Sequence, residues 1–498
     1  MVKAYLRYEP AATWGVVCSG STLAWVLSGS ATPLLAAPAL ESVHFWDMRR
    51  GVRALTLTPP PPTTPGVALG EVTVLAASPS GSHLAAGHTD GAVRLWDAAA
   101  GELLATFRGH RGSVSALRFS RDGATLFSGG QDTEIVVWDV GAEAGLLRLR
   151  GHRGQVTDLV LVERAQVLVS ASKDATLRCW DLRTQHCVQV VPAHRAELWS
   201  LDLNAAQTRL AVGGADDQLR WFRVCCKEGE EAEPEQAKQP KRKGGKGTEN
   251  GAAEASNSSH VLPPPAEAAD VLAPMGFLRR RAPERAASVR FGRAGPLAAQ
   301  GQGSEILLVQ SAGKAVELLV ARSGAEALRH FKRRCRRKSK NAKGEEVDAK
   351  GEEEADASLS ANVQYLAGSD ELEMLRPVRS KHRLRSAALP PPFGRHFFAL
   401  KSSRDPADVV SLVLGTASNG VEVHEAHLQA SADPDKYSED TAPALLSALD
   451  GQGHRGDVRA VALSPDDSVA LSTSAGGSRL WDARSGAALR AAGGEGYG

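Results

Sequence analysis

Tryptophan–aspartate pairs recur along this 498-residue chain at a fixed interval, and that interval limits what the chain can fold into. Trp96-Asp97, Trp138-Asp139 and Trp180-Asp181 stand 42 residues apart, and Trp221-Phe222 follows 41 residues later. His110, His152 and His194 keep the same 42-residue spacing, as do Asp132, Asp174 and Asp216. Three residue types in step mark one structural unit used repeatedly. A unit of this size cannot bury its apolar face alone and must stack on its neighbours.

The unit reads GHRGSVSALRFSRDGATLFSGGQDTEIVVWD and then GHRGQVTDLVLVERAQVLVSASKDATLRCWD. Each copy holds three alternating apolar runs separated by turn residues, with room for a fourth run after the Trp-Asp pair. This is the signature of a WD40 repeat, four antiparallel strands forming one blade of a β-propeller, so the expected fold class is all-β. Resemblance to WD40 proteins implies that His110, Ser128, Asp132 and Trp138 form a buried hydrogen-bonded set in one blade, and His152, Ser170, Asp174 and Trp180 in the next. Identical sets in successive blades read as architecture, in which every buried polar group must find a partner.

Counting blades gives seven and then one more. The first spans roughly 11–57, and the Pro-rich stretch TPPPPTTPG lengthens the step from Trp46 to Trp96 to 50 residues. Four blades follow from Glu71 to Cys226, then a polar, charged insertion at 227–270 expected to be disordered. A degenerate blade begins near AASVRF, a second insertion covers 332–385, also expected to be largely disordered, and a seventh blade is expected at about 394–427. His454 and Trp481, 27 residues apart, then restart the motif. A ring already closed has no place for that blade. The expected division is a first propeller at 1–430, a linker at 431–450, and at 451–498 the first blade of a second propeller cut short by truncation or an incomplete gene model.

No catalytic chemistry follows from the sequence. QSAGKAV at 310–316 has a Gly-Lys pair, but Ala315 replaces the Ser or Thr of a phosphate loop and Leu308 its first glycine. Neither HExxH nor GxSxG occurs, the cysteines lack ligand spacing, and no cofactor or metal is expected. Six cysteines in a chain this long do not make a disulfide framework and read as reduced thiols. The uncharged stretch between Glu9 and Glu41 contains LLAAPA, which has the small residues of a signal-peptide cleavage site. It is broken by Thr, Ser, Gly and Pro and lies where first-blade strands are needed, so we read it as part of the fold. No membrane association is expected.

The net charge of +2 hides strong segregation. Residues 331–356 read FKRRCRRKSKNAKGEEVDAKGEEEAD, basic first and acidic second. Ser323 and Glu326 fit a capping box, and Leu328, Phe331 and Cys335 fall at helical spacing, which predicts a short helix leaving the blade. Lys332, Arg333, Arg334, Arg336, Arg337, Lys338, Lys340 and Lys343 fit three roles: contact with RNA phosphates, a nuclear or nucleolar import signal, or a solvated loop neutralised by its acidic half. A basic residue also follows each motif histidine, at Arg111, Arg153, Arg195 and Arg455, which would set positive charge on one face of the disk.

Beyond the repeat, YLRYEPAATWGVVCSG, DTEIVVWDV, WDLRTQHCVQVVPAHRAELWSLDL, FLRRRAPERAASVRF and the GHRGDVR restart resemble one eukaryotic family. This is the WD-repeat subunit of the UTP-B subcomplex of the U3 small-subunit processome, the Dom34-interacting-protein type. The resemblance implies a non-catalytic scaffold in 18S rRNA maturation. It also implies a nucleolar location, with other UTP-B subunits, processome proteins, U3 snoRNA and pre-rRNA as partners in a hetero-oligomeric assembly. The alternative is a WD40 substrate adaptor of a ubiquitin ligase or another nuclear interaction scaffold.

Overall fold

The aspartate of each Trp-Asp pair makes the turn that returns the chain along its own sheet. Its side-chain oxygen accepts the N–H two residues on: Arg49 onto Asp47 at 2.9 Å, Ala99 onto Asp97 at 2.7 Å, Gly141 onto Asp139 at 2.9 Å and Arg183 onto Asp181 at 2.8 Å. This Asx-turn is the physical reason for an acid at that position. Gly51 and Gly101 complete two of these turns at φ 68° and 73°, where a β-carbon would be strained. The strand register also slips by one residue just before Trp46, Trp96, Trp138, Trp180 and Trp481, a bulge that helps aim each indole.

The computed structural model describes residues 14–20, 22–27, 33–60, 69–192, 196–225, 271–294, 304–322, 326–334, 368–389, 409–428, 443–449 and 453–493. These form eight antiparallel sheets, seven of four strands and one of five, each with its strands in chain order. We number them sheet 1 (24–57), sheet 2 (72–108), sheet 3 (114–149), sheet 4 (156–191), sheet 5 (198–279), sheet 6 (286–379), sheet 7 (384–449) and sheet 8 (458–493). From sheet 1 to sheet 7 the first strands of successive sheets touch, so in these seven the first strand lies innermost around the axis.

Sheets 1 to 7 close into a ring. Apolar side chains between neighbouring sheets form a separate core at every junction, from sheets 1 and 2 round to sheets 6 and 7. The closing junction packs Trp25, Leu35 and Trp46 of sheet 1 against Val413, Val421 and Val423 of sheet 7. There the Trp25 indole donates to the Leu389 carbonyl at 2.7 Å and Asn419 accepts the Val17 N–H at 2.7 Å. Near the axis a hydroxyl reaches across three junctions to a carbonyl of the next sheet: Thr73 to Val114, Ser115 to Val156, and Thr157 to Leu198 at 2.9 Å. Removing a large buried side chain such as Leu84 or Leu168 from such a junction would cost about 2–5 kcal/mol.

Sheet 8 stands outside the ring. Trp14 packs on Trp481 with ring centroids 6.4 Å apart, and Asn419 donates to the His454 carbonyl at 3.2 Å. Its first strand, Val458–Leu463, is exposed throughout.

Several boundaries differ from the sequence reading. The seventh sheet begins at Leu384–Ala388, well before 394, and its outer strand Ala444–Leu449 comes from the segment read as linker. The span 332–385 is structured at its end, where Gly368–Glu371 turns helically and Leu372–Met374 and Val378–Arg379 pair with the third strand of sheet 6. A β-strand can be supplied from either side of an insertion, and neither side carries a Trp-Asp marker here. In sheet 5, Phe222 faces Leu210 as Trp180 faces Leu168. Phe222, and not Trp221, therefore holds the motif position. The insertion 227–270 lies outside the described residues.

Candidate nucleic-acid and protein interface

His110 sits in the turn entering sheet 3 and Ser128 on its second strand. Trp138 is on the third strand, and Asp132 lies in the tight turn between those two. The fold brings all four together. His110 Nδ1 donates to Asp132 Oδ1 at 3.0 Å, its Nε2 accepts from Ser128 Oγ at 2.8 Å, and that oxygen accepts the Trp138 indole N–H at 2.8 Å. The carboxylate can only accept, which fixes the imidazole tautomer. Sheet 4 repeats the set at 2.9, 2.7 and 2.8 Å with Asp174, His152, Ser170 and Trp180.

Each aspartate also accepts the N–H of the basic residue after the histidine, Arg111 at 2.9 Å and Arg153 at 3.0 Å. The set thereby pins the turn that holds an exposed arginine at one end of the ring. Burial pushes the Asp174 carboxyl up, but hydrogen bonds from Thr176, the Arg153 N–H and His152 outweigh it and hold the group at about 2. Burial depresses His152, although Asp174 works against it.

Other sheets solve the same packing problem differently. Sheets 2 and 5 pair the turn aspartate with an arginine four residues on, Asp90 with Arg94 at 3.0 Å and Asp216 with Arg220. Sheet 6 reverses the charges. Glu317 faces Val309 as Arg220 faces Val212, and it binds Arg280 from the entering turn at 3.1 Å with both side chains buried. In sheet 8, Ser472 accepts the Trp481 indole at 2.7 Å and donates to His454 Nε2 at 2.6 Å, while Ser474 contacts His454 Nδ1 at 2.8 Å. Ser474 thus takes the role the aspartate has elsewhere.

Of the basic segment, residues 326–334 form a helix. Ala327 and Phe331 bury one side of it, with Met275 and Leu328 packed alongside. Arg334 lies 2.7 Å from Asp370, a fully buried carboxylate that His330 also approaches at 3.3 Å. Arg333 is exposed and Lys332 half-buried. Arg336, Arg337, Lys338, Lys340 and Lys343 lie outside the described residues, as does Arg195. Beside this helix Glu371 takes the Trp221 indole N–H at 2.7 Å and grips Arg209 through both carboxylate oxygens. Sequence reasoning missed Glu371 because its partners are 150 and 162 residues away with no spacing to expose them.

Among the described residues no group of His, Cys, Asp and Glu could hold a metal ion, and no helix is long and apolar enough to cross a membrane.

Comparison with known proteins places this geometry. A family model described as the first β-propeller domain of WDR3 matches residues 33–224, and a WD40 G-beta repeat model matches 446–482. The chain is similar to U3 small nucleolar RNA-associated protein 12 of Saccharomyces cerevisiae, 35% identical over 121 residues, which is 22% of this chain and 13% of the yeast protein. It is also similar to human WD repeat-containing protein 3, 39% identical over 98 residues, 19% of this chain and 10% of the human one. These matches span a small part of either relative. A chain in a crystal structure of the mitotic checkpoint complex superposes with a TM-score of 0.51 at 15% identity, covering 85% of this chain and 98% of that one, a likeness of fold alone. By its repeats and its closed ring, this chain is a WD40-repeat propeller protein, related over a fragment of its length to WD repeat-containing protein 3 and U3 small nucleolar RNA-associated protein 12.

Proposed function

We propose that this chain is a non-catalytic scaffold of the nucleolar small-subunit processome. In this reading it is a UTP-B-type subunit that meets U3 snoRNA, pre-rRNA and partner proteins within a hetero-oligomeric assembly for 18S rRNA maturation. The observation that carries the reading is the 35% identity over 121 residues to a protein named for its association with U3 small nucleolar RNA. The histidine–serine–aspartate sets support a structural role, since their histidine side chains are fully buried and the same set recurs in adjacent blades. Charge on the exposed turns at Arg111 and Arg153 and on the helix at Arg333 suits an assembly built around RNA.

The test is affinity capture of the tagged chain from nuclear extract, with U3 RNA measured by reverse transcription and quantitative PCR. Enrichment of U3 RNA over an unrelated small nuclear RNA is the expected result. Recovery of a ubiquitin-ligase core without U3 RNA would favour the adaptor alternative and remove this reading.

A further inference from the structure

At the end of the ring that carries the entering turns, a cleft of about 1030 Å³ opens over sheets 6 and 7. Its walls are three turns, around 281–284, 312–315 and 376–383. Five basic residues line it, Arg281, Lys314, Arg376, Arg379 and Arg383, against two acids, Glu284 and Glu317. Glu317 is compensated within the wall, where it accepts from buried Arg280 at 3.1 Å and from the N–H groups of Arg281 and Ala282 at 2.7 and 2.8 Å. Among the described lining residues that leaves Glu284 as the one exposed acid, lying over Gly313, whose missing side chain makes room for it. A concave wall with this excess of positive charge focuses its field on the cavity and draws in anions.

The rest of the lining narrows the ligand. Pro283, Pro377 and Pro443 remove three backbone donors from the lining, and its guanidinium and ammonium groups are the charged donors that an anion would meet. No aromatic ring is among the described lining residues, so the cleft holds the charged part of its ligand and not a stacked base. The positive surface also continues beyond the cleft. Arg285 follows Glu284, and its carbonyl ties to the Ala312 N–H at 3.0 Å. Its guanidinium lies 3.9 Å from the Trp199 ring centroid, and Lys173 Nζ lies 4.6 Å from the same ring. Trp199 occupies the place where Thr73, Ser115 and Thr157 bridge other junctions, one 42-residue step after Thr157. In place of that bridge it holds two cations on its ring. Basic groups therefore run from sheet 7 across sheet 6 to the turns of sheets 4 and 5.

We propose that this cleft and the Trp199 cluster form a binding track for the phosphate backbone of single-stranded RNA. A track crossing several blades suits an extended polyanion, whose repeated phosphates meet successive arginines. One acidic side chain on a partner protein would fill only part of it. The proposal names the surface through which the RNA reading above would operate and rests on that reading for its biological context.

The experiment uses the whole chain and a fluorescein-labelled twelve-nucleotide oligouridine, titrated at several salt concentrations, with poly-glutamate as a second probe. Lys314→Glu combined with Arg379→Glu changes two exposed residues. We expect oligouridine affinity to fall about ten-fold or more, and the dependence of log K on log salt to flatten by about 1 to 2. Glu284→Gln should bind more tightly than the parent. Circular dichroism checks that each variant stays folded. The proposal is overturned if the parent does not bind oligouridine, if the double variant binds it as well as the parent, or if only poly-glutamate binds and loses affinity in the double variant. Failure of U3 capture with oligouridine binding intact would instead remove the processome reading and leave the track standing.

Discussion

The Trp221 indole donates to Glu371 Oε2 at 2.7 Å across 150 residues of chain, and Arg209 clamps the same carboxylate. This contact ties sheet 5 to the short helical turn that precedes the outer strands of sheet 6. Glu371→Ala would leave a guanidinium and an indole N–H without their acceptor. We expect a loss of about 2–4 kcal/mol, seen as an earlier urea midpoint, with Glu371→Gln keeping part of the stability. A midpoint unchanged in both variants would show that the clamp does not hold the two sheets.

Sheet 2 lacks the serine that sheets 3 and 4 use. Ala86 faces Leu75 and Arg94 as Ser128 faces Leu117 and Val136, and the Trp96 indole nitrogen is buried without a partner among the described residues. Ala86→Ser should supply the missing acceptor and stabilise the protein by about 1 kcal/mol. The converse change, Ser128→Ala, strands both His110 Nε2 and the Trp138 indole and should cost about 1–3 kcal/mol. Thermal melts of the two variants should move in opposite directions.

Acid should weaken the ring in two steps. Burial lowers His44 and His88 to about 4, so the unfolded chain takes up their protons first. Their contribution is complete above the unfolded value of 6.5 and fades as pH falls toward 4. Asp174, held at about 2 against 3.8 unfolded, contributes above 3.8, and that share is lost as pH falls toward 2. Melting temperature should therefore fall between pH 7 and 4 and fall again below 4. Replacing His88 by Gln should flatten the first decline, and an unchanged profile would exclude His88 as a source.

The basic helix separates into structural and accessible charge. Arg334→Ala would take a cation away from Asp370, a fully buried carboxylate that His330 also approaches. We expect a loss of about 2–3 kcal/mol. Arg333, exposed, should be replaceable by Ala without any shift in the melt. A nucleolar imaging assay on Arg333→Ala then reads targeting or RNA contact without interference from unfolding.

The repeat makes most of the ring legible in the sequence. Trp-Asp pairs, their turn aspartates and the 42-residue step follow from local chemistry, and local chemistry leaves a pattern in sequence. What escaped was supplied from a distance. Leu384–Ala388 and Ala444–Leu449 carry no marker because a degenerate blade is held by its neighbours' apolar faces, which any β-branched or leucine-rich strand can satisfy. Glu317 replaces an arginine only because Arg280 arrives from the preceding turn, a charge exchange that neither residue reveals alone. The cleft over sheets 6 and 7 was hidden for the same reason, since its arginines come from turns of unequal length with no common period.

Sheet 8 carries a consequence for how the molecule opens. Val461 is 66% exposed and Leu463 62%, so this sheet lacks the two-sided burial that holds every sheet of the ring. It meets the rest of the chain through Trp14 and Asn419. Its backbone amides should exchange with deuterium as a separate and faster unit, while those of sheets 3 and 4 wait for global unfolding. The chain would then show two cooperative transitions, and a single melting temperature would describe only the ring.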